Sequence, residues 1–302
     1  MIDCVIVGGG PAGLTAALYL ARFRRSVRIF DAGGGRAALI PCSRNQPAFP
    51  NGISGKALLE RMRSHLGPYQ VIVEPGSVAH AVKAAEGFVV KAGAEEIATR
   101  AILLATGVSD RRPAMSEAFH AAALAAGRLR YCPICDGYEV IDRKIAVIGT
   151  GAHAVRETRF LKSYSPSITV VAPDGPHALN AEDRAALAAM NVAAIDGPVR
   201  DFAFDDEGLT FSVPGARLQV DTAYLTMGFD IRSGLARALG ADCADDGCIK
   251  TNAHQMSTVE GLYAAGDVVA GLDQIDHALG QGAVAATAIR NAAAALASDL
   301  SA

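Results

Sequence analysis

The chain has 302 residues, with 28 Lys and Arg against 31 Asp and Glu, for a formal net charge of −3. That balance leaves no cationic surplus to grip a nucleic-acid backbone. With 51% hydrophobic and 20% charged residues, the composition excludes a disordered chain. At ~150 residues per domain the length predicts two domains. No apolar run reaches the ~18 residues of a membrane span, because Arg290 interrupts the Ala-rich C-terminal stretch. Met1-Ile2-Asp3-Cys4 lacks the basic stretch that opens a signal peptide. A cytoplasmic location, with no membrane and no nucleic-acid partner, is the expectation.

The chain opens with a strand, Asp3-Cys4-Val5-Ile6-Val7, then the turn Gly8-Gly9-Gly10-Pro11-Ala12-Gly13 and an apolar helix from Leu14 to about Arg22. A second strand, Ser26 to Phe30, ends at Asp31. Strand, G-x-G-x-x-G turn, helix, strand and acid form a βαβ dinucleotide fingerprint. Gly8 permits the tight turn, Gly10 lets backbone approach a pyrophosphate, and Gly13 lets helix and strand pack closely. The helix N-terminus offers N–H groups to phosphate, and Asp31 can accept from a ribose. Further on, Ala101 to Leu104 reads as a buried strand ending in Ala105-Thr106-Gly107.

Cys132 and Cys135 form a C-x-x-C, which in a cytosolic protein is redox-active or metal-binding. A structural zinc would want a second matching pair, and Cys243/Cys248 has the wrong spacing, so no metal is expected. A second βαβ copy follows: strand Lys144 to Ile148, turn Gly149-Thr150-Gly151-Ala152-His153-Ala154, helix to about Lys162, and strand Ser167 to Val171 ending at Ala172-Pro173-Asp174. Asp174 could serve a ribose or a turn. Strand Gly261 to Ala265 then ends in Gly266-Asp267, before a long Ala-rich helix from about Gly280. The expected fold is α/β, with two Rossmann-like, doubly wound, three-layer dinucleotide-binding domains, the second inserted in the first. Residues 1–112 and 246–302 form the first domain and 113–245 the second, with crossings near Arg112-Pro113 and Asp245-Asp246-Gly247.

In order and spacing over nearly the whole chain, Gly8-x-Gly10-x-x-Gly13, Ala105-Thr106-Gly107, Cys132-Pro133-Ile134-Cys135-Asp136-Gly137 and Gly266-Asp267 resemble the low-molecular-weight thioredoxin reductase family of flavoproteins. The resemblance implies FAD in the first domain, held by Gly8, Gly10, Pro11, Ala12, Gly13, Asp31, Ala105, Thr106, Gly107, Gly266 and Asp267. Asn45, in a loop similar to the family's flavin-covering segment, and Gln274-Ile275, following the G-D motif, are implied further contacts. Cys135 would face the flavin, Cys132 would exchange with substrate, and Asp136 would move the proton that a thiolate reaction requires. His153 and His277 are other candidate proton carriers. The implied partners are a thioredoxin-like protein or a small dithiol or disulfide, and a second copy in a homodimer.

One departure stands out. The family reads the NADPH 2′-phosphate with an arginine-rich run after the second strand of the inserted domain. Here that place reads Ala172-Pro173-Asp174-Gly175, and no arginine follows until Arg184. NADPH is disfavoured, since phosphate recognition wants arginine forks; Gly149, Gly151, Ala154 and Asp174 would suit NADH if a nicotinamide nucleotide binds. Three functions stay open: a pyridine-nucleotide-dependent disulfide reductase, a dithiol oxidase or reductase with another electron partner, and a flavin-bound redox sensor.

Overall fold

The structure is a computed structural model that describes residues 1–299. The first stretch of chain forms β1 (Ile2–Val7), α1 (Pro11–Arg22), β2 (Val27–Asp31), α2 (Gly55–Ser64), β3 (Val73–Pro75), β4 (Val78–Lys83), β5 (Phe88–Ala92), β6 (Glu95–Leu104) and β7 (Val108–Asp110). The middle stretch forms α3 (Glu117–Ala125), β8 (Leu129–Arg130), α4 (Pro133–Asp136), β9 (Ile145–Ile148), α5 (Gly151–Leu161), β10 (Ile168–Val171), α6 (Ala181–Ala189), β11 (Ala193–Ile195), β12 (Arg200–Asp205), β13 (Gly208–Val213), β14 (Ala216–Val220) and β15 (Thr222–Leu225). The chain finishes with β16 (Phe229–Ile231), α7 (Gly234–Ala238), β17 (Leu262–Ala264) and α8 (Ile275–Asp299).

Two compact units result. One holds residues 1–40, 53–109 and 231 onward; the other holds 41–52 and 110–230. In the first unit β3, β2, β1 and β6 run parallel in that order, and β17 joins β6 in parallel. The ten-residue β6 does two jobs. Its first half pairs antiparallel with β5 of the β4–β5 hairpin, and its second half pairs with β17. Residues Cys4 to Val7 are buried in sequence rather than alternately, as expected of a parallel strand covered on both faces. One face packs on α1 and α8 through Leu14, Leu20, Ala285 and Ile289. The other packs on α7 and the hairpin through Val90, Ile97, Ala236 and Ile249.

The second unit repeats the plan. Its all-parallel sheet has the order β11-β10-β9-β15-β8. On one face, Val147, Val155, Leu161 and Val170 pack with α5. On the other, Ile148 and Val171 pack with Leu209 and Phe211 of the antiparallel sheet β12-β13-β14. An antiparallel sheet therefore covers this face where a doubly wound fold would place helices.

Two boundaries differ from the sequence expectation. The return crossing lies at 230–231, not near Asp245-Asp246-Gly247, because Ala236, Ala241 and Ile249 belong to the first unit's core. The acidic turn is a local feature in which Asp246 accepts from the Cys248 amide at 2.9 Å. The last helix starts at Ile275, before Gly280. Gly282 is a packing residue there, since a Cβ would run into the Ala12 carbonyl of α1.

Candidate active site

The first glycine turn joins β1 to α1. Gly8 has φ +114°, and a side chain there would strike the Ala105 carbonyl. Gly13 faces the Gly8 carbonyl just as closely. Strand end, turn and helix thus interlock, and only glycine fits. Gly10 differs: nothing lies within 4 Å of where its Cβ would be. Pro11 opens α1, and no side chain caps the N-terminus, which leaves the helix end available to an anion. Asp31 closes one side of the turn, with Oδ2 2.6 Å from the Cβ position of Gly9. It accepts from the Gly33 amide at 3.1 Å and from Arg63 at 3.3 Å. Gly266 sits against Ala12 and Ala278, and its amide donates to Gln281 Oε1 at 2.7 Å. Asp267 and Asp273 both face Arg36, at 3.3 and 3.4 Å. Thr106 donates to the Arg232 carbonyl at 2.8 Å, and Gly107 has open space beside it. The open face at Gly10 above an uncapped helix end, with Asp31 beside it, fits the pyrophosphate and ribose of a dinucleotide such as FAD.

The cysteine pair sits at the C-terminal end of β8, the end at which parallel α/β sheets carry their chemistry. Cys132 and Cys135 are joined as a disulfide with their Cα atoms 5.3 Å apart. Cys132 caps α4, its sulfur accepting from the Cys135 amide at 3.2 Å. Asp136 follows directly. Its Oδ2 accepts from Arg130 Nη1 at 2.6 Å and its Oδ1 from the Tyr224 hydroxyl at 2.7 Å. Burial raises the Asp136 carboxyl above its ordinary range; Arg130 and the two hydrogen bonds oppose this without cancelling it. Arg130 and Tyr224 are paired neighbours across β8 and β15. Neighbouring residues on a strand face opposite ways, so Tyr131 instead meets buried His120, with Oη 2.8 Å from Nε2.

The second glycine turn, between β9 and α5, is built differently. Gly149 packs tightly on Thr226 of the neighbouring strand end, and Ala154 is buried. Thr150, however, accepts from the Ala178 amide at 2.8 Å and lies 3.3 Å from His177 Nδ1. The Ala178 carbonyl oxygen is 3.5 Å from the Cβ position of Gly151, the counterpart of the open Gly10. The segment after β10 is tied down on its far side as well. His177 donates its amide to Asp196 at 2.9 Å, Gly197 donates to the Gly175 carbonyl at 2.7 Å, and Val199 to the Pro173 carbonyl at 2.9 Å. His177 is buried, which holds its imidazole below the ordinary pKa. A carbonyl oxygen lies over the turn and Asp174 is exposed nearby in sequence, and residues 172–178 themselves carry no arginine or lysine.

The remaining candidates are dispersed. Asn45 accepts from Ser43 Oγ at 2.8 Å in the 41–52 segment, which belongs to the second unit. Gln274 donates to the Asp273 carbonyl at 2.9 Å, and Ile275 begins α8. His153 is a half-buried residue of α5, 3.1 Å from Arg156. His277 lies beside Gly271. Sequence reasoning missed Arg130, Tyr224 and His177. The only signal was a charge and a phenol in otherwise apolar strands, and nothing local pairs residues that far apart in the chain.

Comparison with known proteins adds the following. Residues 2–282 match the pyridine nucleotide-disulphide oxidoreductase family. The thioredoxin reductase of Bacillus subtilis is 28% identical over 312 residues, spanning 96% of this chain and 94% of that protein. The crystal structure of thioredoxin reductase from Streptococcus pyogenes superposes with a TM-score of 0.88 at 26% identity, covering 96% of this chain and 97% of that one. The crystal structure of HlmI superposes with a TM-score of 0.86 at 30% identity, covering 98% and 96%.

Proposed function

The chain belongs to the pyridine nucleotide-disulphide oxidoreductase family, and on that premise we propose that it is an FAD-dependent thiol–disulfide oxidoreductase of the thioredoxin reductase type. Its electrons pass between FAD and a dithiol or disulfide through Cys132–Cys135. The observation that carries this is the disulfide at the end of β8 with a half-buried carboxyl one residue on, in a chain whose first glycine turn is open to a dinucleotide. Bound FAD supplies a two-electron carrier.

The protein's own residues supply the exchange. A substrate thiolate attacks the Cys132 sulfur, the Cys132–Cys135 bond breaks, and Cys135 leaves as thiolate. The second substrate thiol attacks the mixed disulfide, which closes the substrate disulfide and releases Cys132. Two electrons reach the cysteine pair, and the two substrate protons must be carried away or handed to the new thiols. Asp136, raised toward neutrality by burial, is suited to take up and return one of them. Reduction of a disulfide substrate runs the same steps in reverse.

The second glycine turn favours one variant of this reading. The Thr150–Ala178 bond and the Ala178 carbonyl lie against it, and the arginine run is absent. Both features support an electron partner other than NADPH, as in a dithiol oxidase that passes electrons to oxygen. A small dithiol or a thioredoxin-like protein, a cytoplasmic location and a homodimer complete the proposal. Among the described residues no helix is long and apolar enough to cross a membrane.

The purified protein should be yellow with one FAD per chain, and Asp267→Ala should release FAD more readily. A colourless protein that cannot be reconstituted with FAD would refute the function. NADPH should reduce the flavin no faster than NADH. Losing even one charge-assisted phosphate contact removes ~1.5–3 kcal/mol. Rapid anaerobic reduction by micromolar NADPH, with NADH much slower, would return the enzyme to the ordinary reductase class.

A further inference from the structure

Tyr224 has no part in the exchange described above. It is fully buried in β15, where phenylalanine would fill the same core volume. A buried phenol is tolerable only when its hydroxyl is bonded. Its hydroxyl lies 2.7 Å from Asp136 Oδ1 and 3.3 Å from the Asp136 backbone carbonyl. The other carboxyl oxygen, Oδ2, is held by Arg130 Nη1 at 2.6 Å. A guanidinium only donates, whereas a hydroxyl both donates and accepts. Of the two carboxyl oxygens, only Oδ1 therefore faces a partner that can adapt to a proton. When Asp136 is ionised, Tyr224 donates to Oδ1. When Oδ1 carries a proton, Tyr224 accepts it as a hydrogen bond and turns its own hydrogen to the Asp136 carbonyl.

We infer that Tyr224 is the positioning residue that makes Asp136 a reversible proton site for the Cys132–Cys135 pair. The inference rests on the proposed exchange function. The charged and titratable groups facing Asp136 are Arg130 from β8, Tyr224 from β15 and Glu139 on the following turn, beside the cysteines themselves when reduced. Glu139 pairs in turn with Arg44 at 3.8 Å. Arg130 acts on Asp136 through its charge and as a donor that cannot accept, and Glu139 acts through its charge. Tyr224 alone can change its role between the two protonation states.

The test is the pH dependence of dithiol turnover by the holoenzyme and of Cys132 alkylation in the reduced holoenzyme. Tyr224→Phe removes a donor to the ionised carboxylate, so Asp136 keeps its proton to higher pH. The acid limb of kcat should move up by about one pH unit, the size of one hydrogen bond to a charged group, with KM for the dithiol unchanged. Replacing Tyr224 with 3-fluorotyrosine, a stronger donor on the same ring, should move the limb down, and this variant serves if Tyr224→Phe does not fold. An unmoved midpoint in either folded variant, whatever its maximal rate, overturns the inference alone. A wild-type enzyme with no dithiol exchange at any pH overturns the proposed function and the inference together.

Discussion

Outside the Cys132–Cys135 pair, the environments of Cys4 and Cys248 make them poor nucleophiles. Cys4 is fully buried in β1, and burial pushes its thiol far up. Cys248 is pushed up to about 11, by burial first and then by Asp246. Alkylation of the reduced native protein at mild pH, mapped by mass spectrometry, should label Cys132 and Cys135 while Cys4 and Cys248 react only after unfolding. Rapid native labelling of Cys4 or Cys248 would contradict these environments. Asp3 makes a separate prediction about pH. Burial would raise its carboxyl, but the Ser26 amide and hydroxyl, at 2.8 and 2.9 Å, and Arg100 at 3.1 Å hold it below the ordinary value. A depressed folded-state pKa contributes stability that is present above the unfolded value of about 4 and lost as pH falls through the folded value. Asp3→Asn should therefore cost about 1 kcal/mol at pH 7, modest because the site is partly solvated, and the gap from wild type should close in acid. A gap that persists in acid would assign the loss to packing instead.

The two βαβ elements share a glycine pattern and differ in what faces it, and substitutions separate the two roles of glycine. Gly13→Ala should destabilise the apoprotein by about 1–3 kcal/mol, because the new methyl meets the Gly8 carbonyl inside a packed turn. Gly10→Ala should leave apoprotein melting nearly unchanged and weaken FAD retention, since that position is open. Melting curves and retained flavin after gel filtration read both; equal destabilisation by the two would remove the case for an open turn. The same contrast marks what was legible in the sequence. The fingerprints β1-α1-β2 and β9-α5-β10 were, because glycine spacing, periodic apolar residues and a terminal acid are local signals. Gly280 misled, since a glycine just ahead of an apolar run reads as a helix boundary, whereas α8 runs through it and uses Gly282 to approach α1. The partners of Asp136 were illegible. Arg130 and Tyr224 meet only because β8 and β15 pair in parallel, and strand pairing across most of a domain leaves no local trace. The Thr150–Ala178 bond was hidden in the same way, although the missing arginines already hinted that this turn had changed.

The chain leaves its first unit for residues 41–52 and again after residue 109, returning at 231. The glycine turn and the Gly266-Asp267 motif thus belong to one unit assembled from distant segments, and FAD would bind only when that unit is complete. Saturating FAD at a hundredfold over its dissociation constant should stabilise the apoprotein by ~2.7 kcal/mol, seen as a concentration-dependent rise in melting temperature; a melting temperature indifferent to FAD would count against the cofactor. FAD would be held by one unit and the disulfide lies in the other, so the proposed function requires electrons to pass between them. Anaerobic titration of the holoenzyme with a small dithiol, following flavin absorbance in wild type, Cys132→Ser and Cys135→Ser, tests this most directly. The wild-type flavin should bleach with two electrons per FAD, and neither variant should bleach at a comparable rate. Bleaching of equal rate in all three proteins, or none in wild type, would contradict it.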